Sequence, residues 1–158
     1  MPRRARGPLP QPRPPHRPGA ARAQGRIGRF ELALDLAPGD AEAEVAEAGR
    51  ALGEAFAGLL RADGAYGHGS AFLPAEEALA QVALEVSERP LVASNVDLTE
   101  ARAGGLGSDL TARFLEAFAQ AAGLTLHVRL IDGEDSGHVL EAIFKALGAA
   151  LAQASSRA

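Results

Sequence analysis

The clearest pattern lies toward the end of the chain. Leu124, Leu126, Val128 and Leu130 alternate with Thr125, His127 and Arg129, which predicts a strand with one buried face. Asp132-Gly133 predicts a turn and Ser136 a helix cap. Val139, Leu140, Ile143, Phe144, Leu147 and Leu151 then form the apolar stripe of a last helix. A similar unit stands earlier. Phe30, Leu32, Leu34 and Leu36 alternate with Glu31, Ala33 and Asp35, and Pro38-Gly39-Asp40 turns the chain, with Asp40 as a cap. Val45, Ala48, Leu52, Phe56 and Leu59 recur at helical spacing until Asp63-Gly64. Between the two units the period falls to two around 70–73 and 79–86, with Val82, Leu84 and Val86 on one face, and a further strand is predicted over 91–96. A helix capped by Ser108 carries Leu110, Phe114 and Phe118 and closes at Gly123.

The order strand–helix, strands, helix, strand–helix with short joins predicts an α+β fold. It is a two-layer sandwich in which helices cover one face of a mixed or antiparallel sheet. The strand–turn–helix unit at 30–61 and again at 124–152 hints at an internal duplication.

Composition adjusts this picture in three places. Apolar residues make up 47% of the 158, but 35 of them are Ala, so the large core side chains are few. There is no Cys, which excludes disulfide frameworks, thiolate zinc sites and Cys nucleophiles. No run of 18 apolar residues exists to form a membrane-spanning helix. The net charge of −4 conceals an asymmetry: residues 1–29 hold eight Arg and no acid, leaving eight basic against twenty acidic residues beyond them. Seven of the ten prolines also fall in 1–29, a density that blocks helix and sheet alike.

The expected organisation is therefore a disordered Pro/Arg-rich extension over 1–29, one domain over 30–152 and a tail over 153–158. An arginine-rich arm can neutralise phosphates, but no aromatics are interleaved for stacking, and no nucleic-acid partner is expected. A transit peptide would need an amphipathic helix that the prolines break. Fifteen Arg against one Lys, with abundant Pro, Ala and Gly, match GC-rich codons, so a misplaced start or frameshift is a further reading of this segment.

Four histidines offer candidate chemistry. His16 lies in the extension, and His68 sits in Gly67-His68-Gly69 without an obvious partner. His127 points from the strand face opposite the leucines, beside Arg129. His138 opens the last helix with Glu141 three residues on, so both side chains share a face one turn apart. An imidazole nitrogen and a carboxylate oxygen so placed can converge on a first-row divalent metal such as manganese or zinc. A solvated surface pair reads identically, and Lys145 at i+4 gives Glu141 a structural partner.

The surrounding residues narrow the reading. The stretch 123–147 resembles the second metal motif of the imidazoleglycerol-phosphate dehydratase family: a Gly, a small polar residue, His-His-x-x-Glu, a small residue, an aromatic and a Lys. Gly133, Asp135, His138, Glu141, Ala142, Phe144 and Lys145 match it in register. Residues 69–79 and 84–90 are similar to the family's mid-chain strands, and 47–55 to the tail of its first metal-bearing helix. The resemblance covers roughly 30–152. It implies a partial version of a duplicated ribosomal-protein-S5-like fold. It also implies a cytoplasmic lyase of histidine biosynthesis that dehydrates imidazole glycerol phosphate to imidazole acetol phosphate. In the family two manganese ions are held by two such helices, within a multi-subunit assembly. Carried over residue by residue, it assigns His138 and Glu141 as metal ligands with His127 a third candidate, Glu141 as the catalytic residue, and Arg89 as a contact for the substrate phosphate.

The departures fall on the chemistry. Gly137 stands where the family has the first His of the pair. Between Asp40 and Glu47 the first motif's paired histidines are absent, and Ala46 aligns with its glutamate. Gly67 replaces an expected arginine, the Pro/Arg segment stands where two strands and a helix with an Asp-His pair are expected, and a closing Ser/Thr-Lys-Gly phosphate loop does not appear before Ala158. These departures predict impaired activity. The alternative is a non-catalytic relative or degraded gene product, acting at most as an assembly partner for an intact paralogue.

Overall fold

A computed structural model describes residues 21–27, 30–36, 41–96 and 108–157. The elements in order are β1 (Ala21–Ile27), β2 (Phe30–Leu36), α1 (Ala41–Leu60), β3 (His68–Ala75), β4 (Ala78–Val86), β5 (Leu91–Ser94), α2 (Ser108–Ala122), β6 (Leu124–Asp132) and α3 (Ser136–Ser155). The main sheet has the strand order β3-β4-β6-β5. It is antiparallel except where β5 runs parallel to β6, which is the expected mixed sheet.

One face of that sheet is buried. Ala80, Val82 and Leu84 of β4 and Leu124, Leu126 and Val128 of β6 lie under α2 and α3. Alternation thus places every second side chain in the core, each large one contributing about 1.5–3 kcal/mol. Alanine builds core as well as surface. Ala142, Ala146, Ala150 and Ala154 recur every fourth residue of α3 and are wholly buried. Their small size lets α3 approach β3 so closely that a Cβ at Gly69 would lie 2.2 Å from the Ala150 carbonyl oxygen.

The helices divide differently from expectation. α2 and α3 lie on the sheet, whereas α1 packs chiefly on α2, and β2 contacts α1. The approach of α1 to α2 depends on glycine. A Cβ at Gly49 would sit 2.6 Å from the Phe114 oxygen, and one at Gly53 2.5 Å from the Phe118 oxygen. Phe118 joins the layers, edge-on to Phe56 at 6.1 Å and stacked with Phe114 at 6.3 Å. β2 pairs with β1 in a separate two-stranded sheet, so the two strand–turn–helix units have different settings.

Several boundaries are corrected. The extension expected through residue 29 contains β1, which begins after the last proline of the run, Pro18, where every backbone can donate to β2. The tail expected from 153 continues α3 through Ser155, because Ala154 is buried and its oxygen accepts from Gly67 N at 2.9 Å. β3 is longer than 70–73 and includes Pro74, tolerated because β3 is an edge strand. β5 stops at Ser94, two residues short of the expected strand. The Asn95 side chain takes over the ladder, donating to Leu130 O at 3.1 Å and accepting from Leu130 N at 2.8 Å. The 38–40 turn, the Asp40 cap and residues 1–20 lie outside the described residues.

Candidate functional site

The site forms where the turn between β6 and α3 meets the turn between β3 and β4. Asp135, rather than the expected Ser136, caps α3. Its backbone is extended (φ −75°, ψ 121°), and its Oδ1 accepts from His138 N at 3.0 Å. The residue three before the donor amide has the geometry this bond needs; Ser136 is already inside the first turn. The Asp135 carbonyl accepts from Val139 N at 2.9 Å. Gly133 (φ +147°) lets the chain enter, since a Cβ there would lie 2.9 Å from Ala78 Cβ and Val139 Cγ2.

Glu77 comes from the other side. Ala75 pairs with Ala78, so Glu76-Glu77 is a two-residue hairpin loop. Glu76 adopts φ +50°, a left-handed conformation that costs a non-glycine residue roughly 1–2 kcal/mol. The next residue gains from that turn. Glu77 Oε1 accepts from Asp135 N at 2.9 Å, and Oε2 lies 2.6 Å from His138 Nδ1. The backbone N–H of Asp135, together with its own N–H and the imidazole, holds the Glu77 carboxyl down at about 2. The hydrogen bond to Glu77 raises His138 above its ordinary value, with the nearby carboxylate charges adding to it. Asp135 Oδ1 stands 3.8 Å from the same Nδ1, too far to compete.

Apart from His138, the ligand and contact residues expected from the sequence are not gathered here. Glu141 lies one turn beyond His138 and is exposed. Lys145 reaches Pro74 O at 2.7 Å instead of Glu141, tying α3 to the end of β3. His127 sits on the open sheet face, opposite Ala83, in a shallow depression of about 480 Å³ shared with His68, Ser70, Glu85 and Gln153. Arg89 follows β4 at the other end of the sheet, since Leu79 pairs with Asp132 near α3 while Val86 pairs with Leu124. Eight strand steps from Ala78 to Val86 separate the two ends by about 25 Å. His16 lies outside the described residues. Among the described residues, no three His, Asp or Glu side chains are placed to hold a metal ion.

Glu77 was not among the residues singled out, and Asp135 was read only as the small polar residue of the motif, with no role assigned. Asp135 had a local signal, a capping residue three before an amide at a helix start. Glu77 had none, because its partner is 61 residues away.

The architecture and this carboxylate–imidazole pair define an α+β domain with a polar site at a helix N-terminus. The model of the family imidazoleglycerol-phosphate dehydratase matches residues 24–151, and the chain belongs to that family. An imidazoleglycerol-phosphate dehydratase of Clostridium botulinum (strain Kyoto / Type A2) is 37% identical over 137 residues, covering 84% of this chain and 69% of the relative. One from Moorella thermoacetica is 43% identical over 129 residues, covering 77% and 66%. The crystal structure of the Staphylococcus aureus enzyme aligns with a TM-score of 0.73 at 29% identity, covering 81% of this chain and 75% of that one.

Proposed function

We propose that the chain is an imidazoleglycerol-phosphate dehydratase of histidine biosynthesis whose dehydration of imidazole glycerol phosphate is impaired. The observation that carries this reading is the donor set. His138 has Nδ1 committed to Glu77, Glu141 is its one neighbouring ligand candidate on that helix face, and Gly137 and Ala46 supply no donor. Manganese favours near-octahedral coordination by oxygen and nitrogen, and two ions need many more donors than these. The residues present do not fit a two-manganese centre. His127 and Arg89 stand too far from His138 to complete a site within one chain. A cytoplasmic homo-oligomer, or assembly with an intact paralogue, would be needed to bring Arg89 and a substrate phosphate to another copy's helix.

Metal analysis of the purified chain, paired with a dehydration assay, tests this. The expected result is less than one manganese per chain and turnover far below that of the Moorella thermoacetica relative. Two ions per chain with comparable turnover would overturn it. Gly137→His sharpens the test by restoring the missing imidazole. A Cβ there lies 3.1 Å from Asp135 Oδ1, so the cap must give by a few tenths of an ångström. Manganese affinity should rise about tenfold or more, equivalent to about 1.4 kcal/mol.

A further inference from the structure

His138 has two ring nitrogens, and the donors around it decide which one carries the proton. Asp135 N–H can only donate, and it donates to Glu77 Oε1. The other carboxylate oxygen, Oε2, lies 2.6 Å from His138 Nδ1. A carboxylate can only accept, so a neutral imidazole must hold its hydrogen on Nδ1 to make that bond. The ring is 38% exposed, and Nε2 is its one nitrogen left for an outside partner.

We propose that Glu77 is a positioning residue that fixes neutral His138 as the Nδ1–H tautomer, so that Nε2 presents a lone pair to solvent and to any ligand. A histidine held in this way acts outward as a proton acceptor or donor ligand through one defined atom. The left-handed Glu76 belongs to the same device. Its conformation starts the two-residue loop that presents both Glu77 oxygens to the α3 N-terminus. The inference goes beyond the proposed function and does not depend on it: metal uptake and turnover test that reading, and the tautomer tests this one.

The experiment follows from counting donors. In Glu77→Gln the amide has one accepting oxygen and one donating NH2. The oxygen must face Asp135 N–H, because two donors cannot face each other. The NH2 then faces Nδ1, which must accept, and the hydrogen moves to Nε2. Imidazole 15N shifts of the full chain, recorded well above the His138 pKa, read the tautomer directly. The wild type should show Nδ1–H and Glu77→Gln should reverse it, while Glu116→Gln on α2 should leave the wild-type pattern. An Nε2–H wild type, or an unreversed tautomer in folded Glu77→Gln, overturns the proposal. Should Glu77→Gln fail to fold, the wild-type spectrum alone still decides.

Discussion

The two strand–turn–helix units, β2–α1 and β6–α3, both end in helices of 20 residues, yet they are held in different ways. α3 lies on the main sheet and is tied to it by side chains: Glu77 to Asp135 and His138, Lys145 to Pro74 O, and Gln153 Oε1 to Ser70 N at 2.7 Å. α1 is set against a helix rather than against the main sheet. It lies on α2 through Gly49 and Gly53, with a surface ion pair from Glu42 to Arg113 at 2.6 Å. Both partners of that pair are more than half exposed, which makes it weak. The imidazole and its partners survive where the helix start is wired to a neighbouring turn. At the start of α1 no histidine stands between Asp40 and Glu47, and position 46 is Ala.

The largest contrast is expected between a buried leucine of α3 and an exposed one of α1. Leu147→Ala, at a position 1% exposed in α3, should cost about 2–5 kcal/mol in denaturant unfolding. Leu59→Ala in α1, at 48% exposure, should stay within about 0.5 kcal/mol. Equal losses would mean that Leu59 is covered as fully as Leu147. A smaller effect is expected at the α1–α2 crossing. Gly53→Ala puts a methyl 2.5 Å from the Phe118 oxygen, a backbone atom with little freedom to move. It should destabilise by about 1–3 kcal/mol, read from the thermal midpoint, whereas Gly58→Ala faces open space and should be neutral or stabilising.

The smallest effect is pH-dependent and belongs to α3 alone. Folding raises His138 above 6.5, so its stabilisation is complete below about pH 6.5 and is lost as pH rises through the folded value. Glu77 is lowered from 4.5 to about 2, so its stabilisation is present above about pH 4.5 and is lost as pH falls toward 2. The stability difference between wild type and His138→Ala should therefore be greatest between about pH 4.5 and 6.5 and shrink on either side. A difference that is flat with pH would show that the pair makes no net contribution.

The alternating residues of β4 and β6 and the apolar stripe of α3 were legible because burial on one face imposes a period on the sequence itself. The strand at 30–36 and the C-terminal end of α2 were equally readable, from alternation and from Gly123, which adopts φ +68° in the fold. The family motif was readable too, since its residues lie within a few turns of one another. Position 138 is the counterexample. From the chain alone it was one half of an i,i+3 pair with Glu141; in the fold its partner is Glu77.

What the sequence determined by itself was local: which segments beyond residue 29 are strands and helices, which face of each is apolar, and that Gly137 and Ala46 carry no donor side chain. Tertiary structure decided the rest. It set α1 on α2 rather than on the sheet and left Arg89 at the far end from His138. Periodicity records only whether a side chain is buried. Which polar group it meets depends on the distance between elements remote in the chain, and that distance exists only once they have packed.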